Sequence, residues 1–222
     1  MRLALFDLDG TLLPGDSDHA FGEFLVECGV AEAAAFRRRN DAFYADYQAG
    51  RLDIAAYIDF ITADWRNRPA AEIDALAAGY LERMIRPMMR TVALELVAQH
   101  RAAGDLLAIV TATNDFVTRP IATLFGVEAL IATELERDAL GRVTGAIRGV
   151  PAFREGKVER VDAWLAAQGL SLERFERSVF YSDSVNDLPL LERVSHPVVT
   201  NPAPALLRIA RERDWPVLEL FP

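Results

Sequence analysis

Apolar positions follow two different rhythms along this chain. Residues 3–6 are four apolar side chains in succession, and from residue 87 onward short apolar runs alternate with longer amphipathic stretches. Between residues 15 and 86 the spacing is helical throughout, with no run of strand character. Short continuous apolar runs bounded by turn residues read as buried strands, and apolar positions three and four apart read as one helix face. The first part therefore predicts helices over 19–28, 31–49, 53–65 and 70–85, with Ser17 or Asp18 capping the first. Gly29, Gly50 and Asn67-Arg68-Pro69 mark the stops. The later part predicts helix 88–102, strand 106–110, helix 115–125 and strand 129–133. A hairpin of 134–137 with 143–147 follows, then helix 155–168 and strand 178–182. Short helix 186–193, strand 196–200, helix 203–214 and strand 216–220 complete the chain. Strands alternating with helices imply parallel pairing through right-handed crossovers. The expected fold is a three-layer α/β/α, Rossmann-like sandwich with a mostly parallel sheet. Residues 1–14 and 87–222 form its core, and 15–86 are a helical insertion.

Composition narrows the field. The chain has 222 residues, 51% hydrophobic and 26% charged, with a formal net charge of −9. That balance is globular and argues against a nucleic-acid or anionic-membrane surface. No apolar stretch approaches the ~20 residues of a membrane span. The first residues are too short and too acidic for a secretion signal, and Cys28 is the single cysteine. A reducing cytoplasm is the expected compartment. Basic residues are almost all arginine, and the single lysine is Lys157.

Four candidate features fall at predicted strand ends or helix starts, in chain order. Asp7-Leu8-Asp9-Gly10-Thr11 follows the first strand, Thr111 follows strand 106–110, and Gly156-Lys157 opens a helix. Ser182-Asp183-Ser184-Val185-Asn186-Asp187 closes strand 178–182. Ligands of parallel sheets bind beyond the carboxyl ends of the strands, so these features are expected to share one edge. Side chains two apart in extended backbone share a face, so Asp7 and Asp9 aim at one volume. Two like charges that close need a cation or a shared proton. Thr111 alone reads as an ordinary strand-end threonine and Lys157 alone as a solvated helix residue; position relative to the aspartates raises both. Ser184 with Asp187 also reads as a helix capping box.

Together the four motifs, their order and the inserted helical block resemble the haloacid dehalogenase superfamily, in its phosphoserine-phosphatase-like branch. The resemblance implies a phosphomonoester hydrolase working through an aspartyl-phosphate on Asp7, with Asp9 as acid and base. It implies Mg²⁺ held by the carboxylates of Asp7 and Asp183 and the backbone carbonyl of Asp9. Thr111 and Lys157 would bind phosphoryl oxygens, with Asn186 and Asp187 supporting them from behind. Asp16 takes the position of a substrate-amine ligand, and Arg37, Arg51, Arg66 and Arg68 are candidates for a substrate carboxylate. Thr111-Ala112-Thr113 departs from the Ser-Gly-Gly typical of phosphoserine phosphatases, and Ser182 and Ser184 stand where glycines are common. The expected substrate is a small polar phosphorylated metabolite, with neither nucleic acid nor membrane as partner. Alternatives are another amino-alcohol phosphate such as histidinol phosphate, phosphotransfer to an alcohol, or, outside enzymes, a receiver-like phospho-aspartate module.

The remaining features receive bland readings. His19, His100 and His196 lack metal-ligand spacing. Cys28 is expected to be a buried thiol beside Phe24 and Leu25. Arg37-Arg38-Arg39 is expected on a solvated face, and Phe36, Phe43 and Tyr47 in the core of the insertion.

Overall fold

The computed structural model describes residues 1–221. Eight strands and ten α-helices occur among them. β1 (Arg2–Phe6) leads into a helical block of α1 (Ser17–Glu27), α2 (Ala33–Gln48), α3 (Ile54–Thr62) and α4 (Ala70–Tyr80). A π-helical turn, Leu81–Ile85, joins α4 to α5 (Arg86–Met88), and α6 (Thr91–Ala102) follows. Next come β2 (Leu106–Asn114), α7 (Asp115–Leu124), β3 (Ala129–Thr133) and the strands β4 (Leu135–Arg137) and β5 (Val143–Ile147). The chain continues through α8 (Glu155–Ala166), β6 (Arg177–Ser182), α9 (Leu188–Leu191), β7 (His196–Thr200), α10 (Pro204–Glu212) and β8 (Val217–Leu218). No described helix is long and apolar enough to cross a membrane.

Six strands form one sheet in the order β3-β2-β1-β6-β7-β8, with every neighbouring pair parallel. The expected three-layer α/β architecture is present. Alternation along β1 divides the core: Ala4 and Phe6 face a cluster with Ala93, Val97 and Ile121, while Leu3 and Leu5 face Val161, Leu165 and Leu206. The sheet is therefore covered by α6 and α7 on one side and by α8 and α10 on the other. β4 and β5 form a separate antiparallel hairpin, and β5 packs on α3 of the helical block.

Five expectations need correction. Helix 70–85 runs on through Met88, because Pro87 stands in the first turn of α5, where a missing N–H costs little. Extended backbone at Met89 and Arg90 then delays the next helix to Thr91. Strand 106–110 extends to Asn114, with a register shift against β3 after Val110. Cys28 is exposed: it is the C-cap residue of α1, one position past the last packed turn. The cap at the other end of α1 is Asp16, whose carboxylate accepts the His19 N–H at 2.7 Å.

Within the insertion, Phe21 meets Trp65 and Tyr80 edge-on, and Trp65 stacks on Phe116 of α7 with ring centroids 4.4 Å apart. The Tyr80 hydroxyl donates to the Ser17 carbonyl at 2.7 Å, tying α4 to the start of α1. Leu5 is fully buried in the central strand, so Leu5→Ala should lower unfolding free energy by about 2–5 kcal/mol, read from urea denaturation followed by circular dichroism.

Candidate active site

Strand register builds the site. Phe6 is paired with Ile109 on one side and Tyr181 on the other, so β1 and β6 end together beside β2, which continues to Asn114. The Asp7 N–H continues the ladder by donating to the Tyr181 carbonyl at 2.9 Å. Asp7 leaves the end of the middle strand, Thr111 lies on β2 beside it, and Asp183 follows β6.

Lys157 arrives from the first turn of α8 by a tight approach. Arg154 takes φ 54°, and a Cβ on Gly156 would stand 2.1 Å from the Pro151 carbonyl oxygen. Only glycine fits that contact without moving backbone. The Lys157 Nζ lies 2.9 Å from Asp7 Oδ1 and 2.8 and 2.7 Å from the two oxygens of Asp187. All three side chains are buried. Ser182 donates its hydroxyl to Asp187 Oδ2 at 2.7 Å. Burial opposes the lysine charge, yet Asp187 and Asp7 hold the ammonium above its ordinary range. For Asp7, burial dominates the pull of Lys157 and pushes the carboxyl up to about 7. Its second oxygen, Oδ2, is buried with no hydrogen-bond partner among the described residues.

Asp9 is held by different groups. Its Oδ1 accepts the Ser17 N–H at 2.6 Å, and its Oδ2 accepts the Thr113 hydroxyl at 2.8 Å. Burial, then the charge of Asp16, pushes its carboxyl up to about 7 against these bonds. Asp183 sits over the backbone just after Asp9: a Cβ on Gly10 would lie 2.2 Å from Asp183 Oδ2. Gly10 also has φ 72°, so both space and conformation demand glycine there. Thr11 clasps the other side, donating its hydroxyl to Asp183 Oδ1 at 3.3 Å and accepting the Asp183 N–H at 3.0 Å. Burial, then the charges of Asp7 and Asp187, raises the Asp183 carboxyl well above its usual range.

Asp7, Asp9, Asp16 and Thr111 line one pocket. Asn186 instead donates its amide to the Tyr47 carbonyl of α2 at 3.0 Å, across to the helical insertion. The residues expected in the insertion's core divide: Phe36 is buried against Phe60, Phe43 packs on Tyr57 and Phe60 as expected while its edge lines the pocket, and Tyr47 lines the pocket. Phe43 and Tyr47 face it because α2 lies across the sheet edge, so its helical stripe meets both the insertion and the site. His19, given no role above, also lines the pocket. Sequence reasoning passed over Thr113 and Ser17, which hold Asp9, and Asp18 and Tyr57, which share the pocket wall. Thr113 had a signal in the departure from Ser-Gly-Gly, where it supplies a hydroxyl that glycine lacks. Ser17 acts through its backbone, which no residue type reveals. Among the described residues no three His, Cys, Asp or Glu side chains form a metal cage.

Comparison with known proteins agrees with the α/β fold. The family model described as haloacid dehalogenase-like hydrolase matches residues 4–192. A histidinol-phosphatase of Neisseria meningitidis serogroup C (strain 8013) is 41% identical over 217 residues, spanning 98% of each chain. A crystal structure of a Bordetella pertussis Tohama I protein of unknown function is 50% identical, with TM-score 0.93 and 99% of each chain covered. A substrate-bound phosphoserine phosphatase superposes with TM-score 0.67 over 97% of this chain and 91% of that one; at 18% identity it supports the fold.

Removing one member of a buried charge cluster leaves its partners uncompensated. Lys157→Met, which keeps much of the stem, should therefore lose about 3–5 kcal/mol of stability, measured by chemical denaturation. A loss under ~1 kcal/mol, the range of exposed ion pairs, would contradict the burial of this cluster.

Proposed function

The chain belongs to the haloacid dehalogenase-like hydrolase family and is a phosphatase, and on that premise we propose that it hydrolyses small amino-alcohol phosphates through a phosphoenzyme on Asp7. One observation carries the chemistry: Lys157 occupies Asp7 Oδ1 while Oδ2 is buried without a partner. The carboxylate is thus oriented through one oxygen and free at the other. Attack of that oxygen on phosphorus would form the aspartyl-phosphate as the bond to the substrate alkoxide breaks. Asp9, held through both oxygens and with its carboxyl raised to about 7, would give its proton to the leaving alkoxide. It would then take one from the water that attacks the phosphoenzyme, which restores Asp7 and releases phosphate. Lys157 and Thr111 would hold phosphoryl oxygens as charge spreads in the transition state.

The donor set fits a divalent cation. Asp7 and Asp183 are oxygen ligands of the kind Mg²⁺ prefers, and the Asp183 carboxyl, raised by burial and then by the charges of Asp7 and Asp187, calls for positive charge. Two carboxylates with the Asp9 backbone carbonyl, the remaining ligands being water, also agree with the lack of a three-acid cage. When bound, Mg²⁺ would mask the repulsion between Asp7 and the substrate phosphate.

The leaving group is read from the pocket. No arginine lines it, and the four candidates are engaged elsewhere: Arg37 with Glu23, Arg51 with Asp46, Arg66 with Asp59, and Arg68 with Glu72. Asp16 does line it. An ammonium therefore has a partner there and a carboxylate has none, which favours an amino-alcohol phosphate over phosphoserine. The histidinol-phosphatase relative named above points the same way. We assign the helical insertion the part of a cap. Asn186 reaches the Tyr47 carbonyl, Arg154 bonds the Gly50 carbonyl, and Phe153 lies against Tyr47 with ring centroids 6.0 Å apart. Such contacts would exclude water from the phosphoenzyme.

Asp7→Asn should lower kcat by at least about 1000-fold, and substantial residual hydrolysis would remove Asp7 as the nucleophile. Asp9→Asn should accumulate phosphoprotein, visible by intact mass after mixing with substrate; an unchanged turnover rate would refute its acid and base role. Chelation should abolish activity and Mg²⁺ restore it, and hydrolysis insensitive to chelator would overturn the metal assignment.

A further inference from the structure

The pocket holds more acid than the proposed chemistry uses. Asp7, Asp9, Asp16 and Asp18 line it, Asp183 and Asp187 lie close to Asp7, and among these acids Asp7 and Asp187 are the two that contact the Lys157 ammonium. Asp7 and Asp187 share that ammonium, Asp7 and Asp183 fit the metal, and Asp9 carries the transferred proton. Asp16 is the partner proposed for one substrate amine. Asp18 is left over.

Asp18 is 7% exposed and joins no ion pair among the described residues, yet it lines the substrate pocket. Its neighbours are neutral donors. Asn114 Nδ2 lies 3.2 Å from Asp18 Oδ1, and the Tyr57 hydroxyl is its second partner. The Asn114 amide is fixed in that sense, because its own oxygen accepts the Val117 N–H at 3.2 Å as the cap of α7. A carboxylate can accept about four hydrogen bonds, so two neutral donors leave Asp18 with spare capacity, and burial with no cation beside it raises its carboxyl well above the usual range. An isolated buried carboxyl is costly to keep unless a ligand answers it.

A second feature of the same wall asks independently for an N–H donor. Asn40 is 1% exposed and lines the pocket; its amide nitrogen is spent on the His19 carbonyl, and its Oδ1 has no donor. Phe43, Tyr44 and Tyr57 supply flat aromatic surface around these acceptors.

We infer that Asp18, backed by Asn114 and Tyr57, is a specificity residue that binds a second basic group on the leaving alcohol, an N–H-bearing ring distinct from the amine met by Asp16. The inference rests on the amino-alcohol phosphate reading and deepens it. The preferred substrate then carries one phosphate, one ammonium and one basic heterocycle, and the two acids divide the latter pair between them.

The test compares three phosphomonoesters on the wild-type protein: histidinol phosphate, phenylalaninol phosphate, which keeps the amine but has a ring without N–H groups, and phosphoserine. A hydrogen bond to a charged group corresponds to a preference of about ten- to a hundredfold. The kcat/KM for histidinol phosphate should exceed that for phenylalaninol phosphate by that factor, mostly through KM. Asp18→Asn should collapse the ratio toward unity. A wild-type ratio near one, or a ratio that survives Asp18→Asn, overturns the assignment of Asp18 while leaving the amino-alcohol reading in place. If phosphoserine outperforms both amino-alcohol phosphates, the underlying reading is what fails. A crystal structure of wild-type protein with bound histidinol supplies a readout that needs no variant. A ring nitrogen within hydrogen-bond distance of Asp18 supports the inference, and a ring seated elsewhere refutes it.

Discussion

The buried ammonium of Lys157 ties together parts of the chain that nothing else would hold in register. It reaches Asp7 at the end of β1 and both oxygens of Asp187 beyond β6, across 150 and 30 residues of sequence. None of these groups is tolerable alone in the interior, since each ion loses its hydration on burial. Such a cluster does not have to add net stability to matter. It excludes every arrangement in which one member is displaced, and so it specifies the relative placement of α8, β1 and the β6 loop. The same contact orients the Asp7 carboxylate through one oxygen and leaves the other without a partner. Structural specification and chemical preparation are here a single interaction.

Parallel pairing makes that economy possible. Because β1 and β6 end together beside β2, which runs on past them to Asn114, segments from distant parts of the sequence meet within a side chain's reach. Two glycines then set the close approaches, Gly10 beneath Asp183 and Gly156 against Pro151. Gly10 lies in the turn after β1 and Gly156 in the first turn of α8, where backbone conformation is least dictated by regular hydrogen bonding. The helical insertion closes the remaining side with aromatic residues from α2 and α3.

Much of this was legible in the linear pattern, and the limits are physical. Strand-length apolar runs ending in acids located β1 and β6, and their parallel order followed from the helices between them. Asp7, Asp9, Lys157 and Asp183 were recoverable because side-chain chemistry at a strand or helix end is written in residue type. Thr113 was not, since its role depends on β2 staying extended past Val110 and so carrying that hydroxyl to Asp9. Ser17 contributes a backbone N–H, which leaves no trace in composition. Cys28 misled because helical periodicity says which face a residue occupies but not where packing along that face stops. Tyr47 misled in a related way: an apolar stripe reads alike whether it meets other helices, as Phe36 and Phe43 do, or lines a pocket. Asp18 was mistaken for a capping residue because Asp16, Ser17 and Asp18 are all competent caps, and only the backbone at Asp16 decides among them.

Electrostatics sets the strongest constraint on what can enter. A phosphate dianion approaching a pocket with Asp7, Asp9, Asp16 and Asp18 in its lining meets their repulsion, offset by the Lys157 ammonium beside Asp7. Such a site would discriminate against most phosphomonoesters unless part of the ligand carried positive charge. An ammonium or basic ring inverts the balance: acids that repel the phosphate end attract the other, and the ligand is oriented by its own dipole before any shape-specific contact forms. Surplus carboxylates beside a phosphate site are then a selective filter, because a neutral or doubly acidic leaving group bears their repulsion without return. The arginines on the insertion accord with this. Placed in the pocket, any of them would neutralise an acid and admit carboxylate-bearing competitors. Paired instead with Glu23, Asp46, Asp59 and Glu72 on the outside, they leave the negative field of the pocket intact.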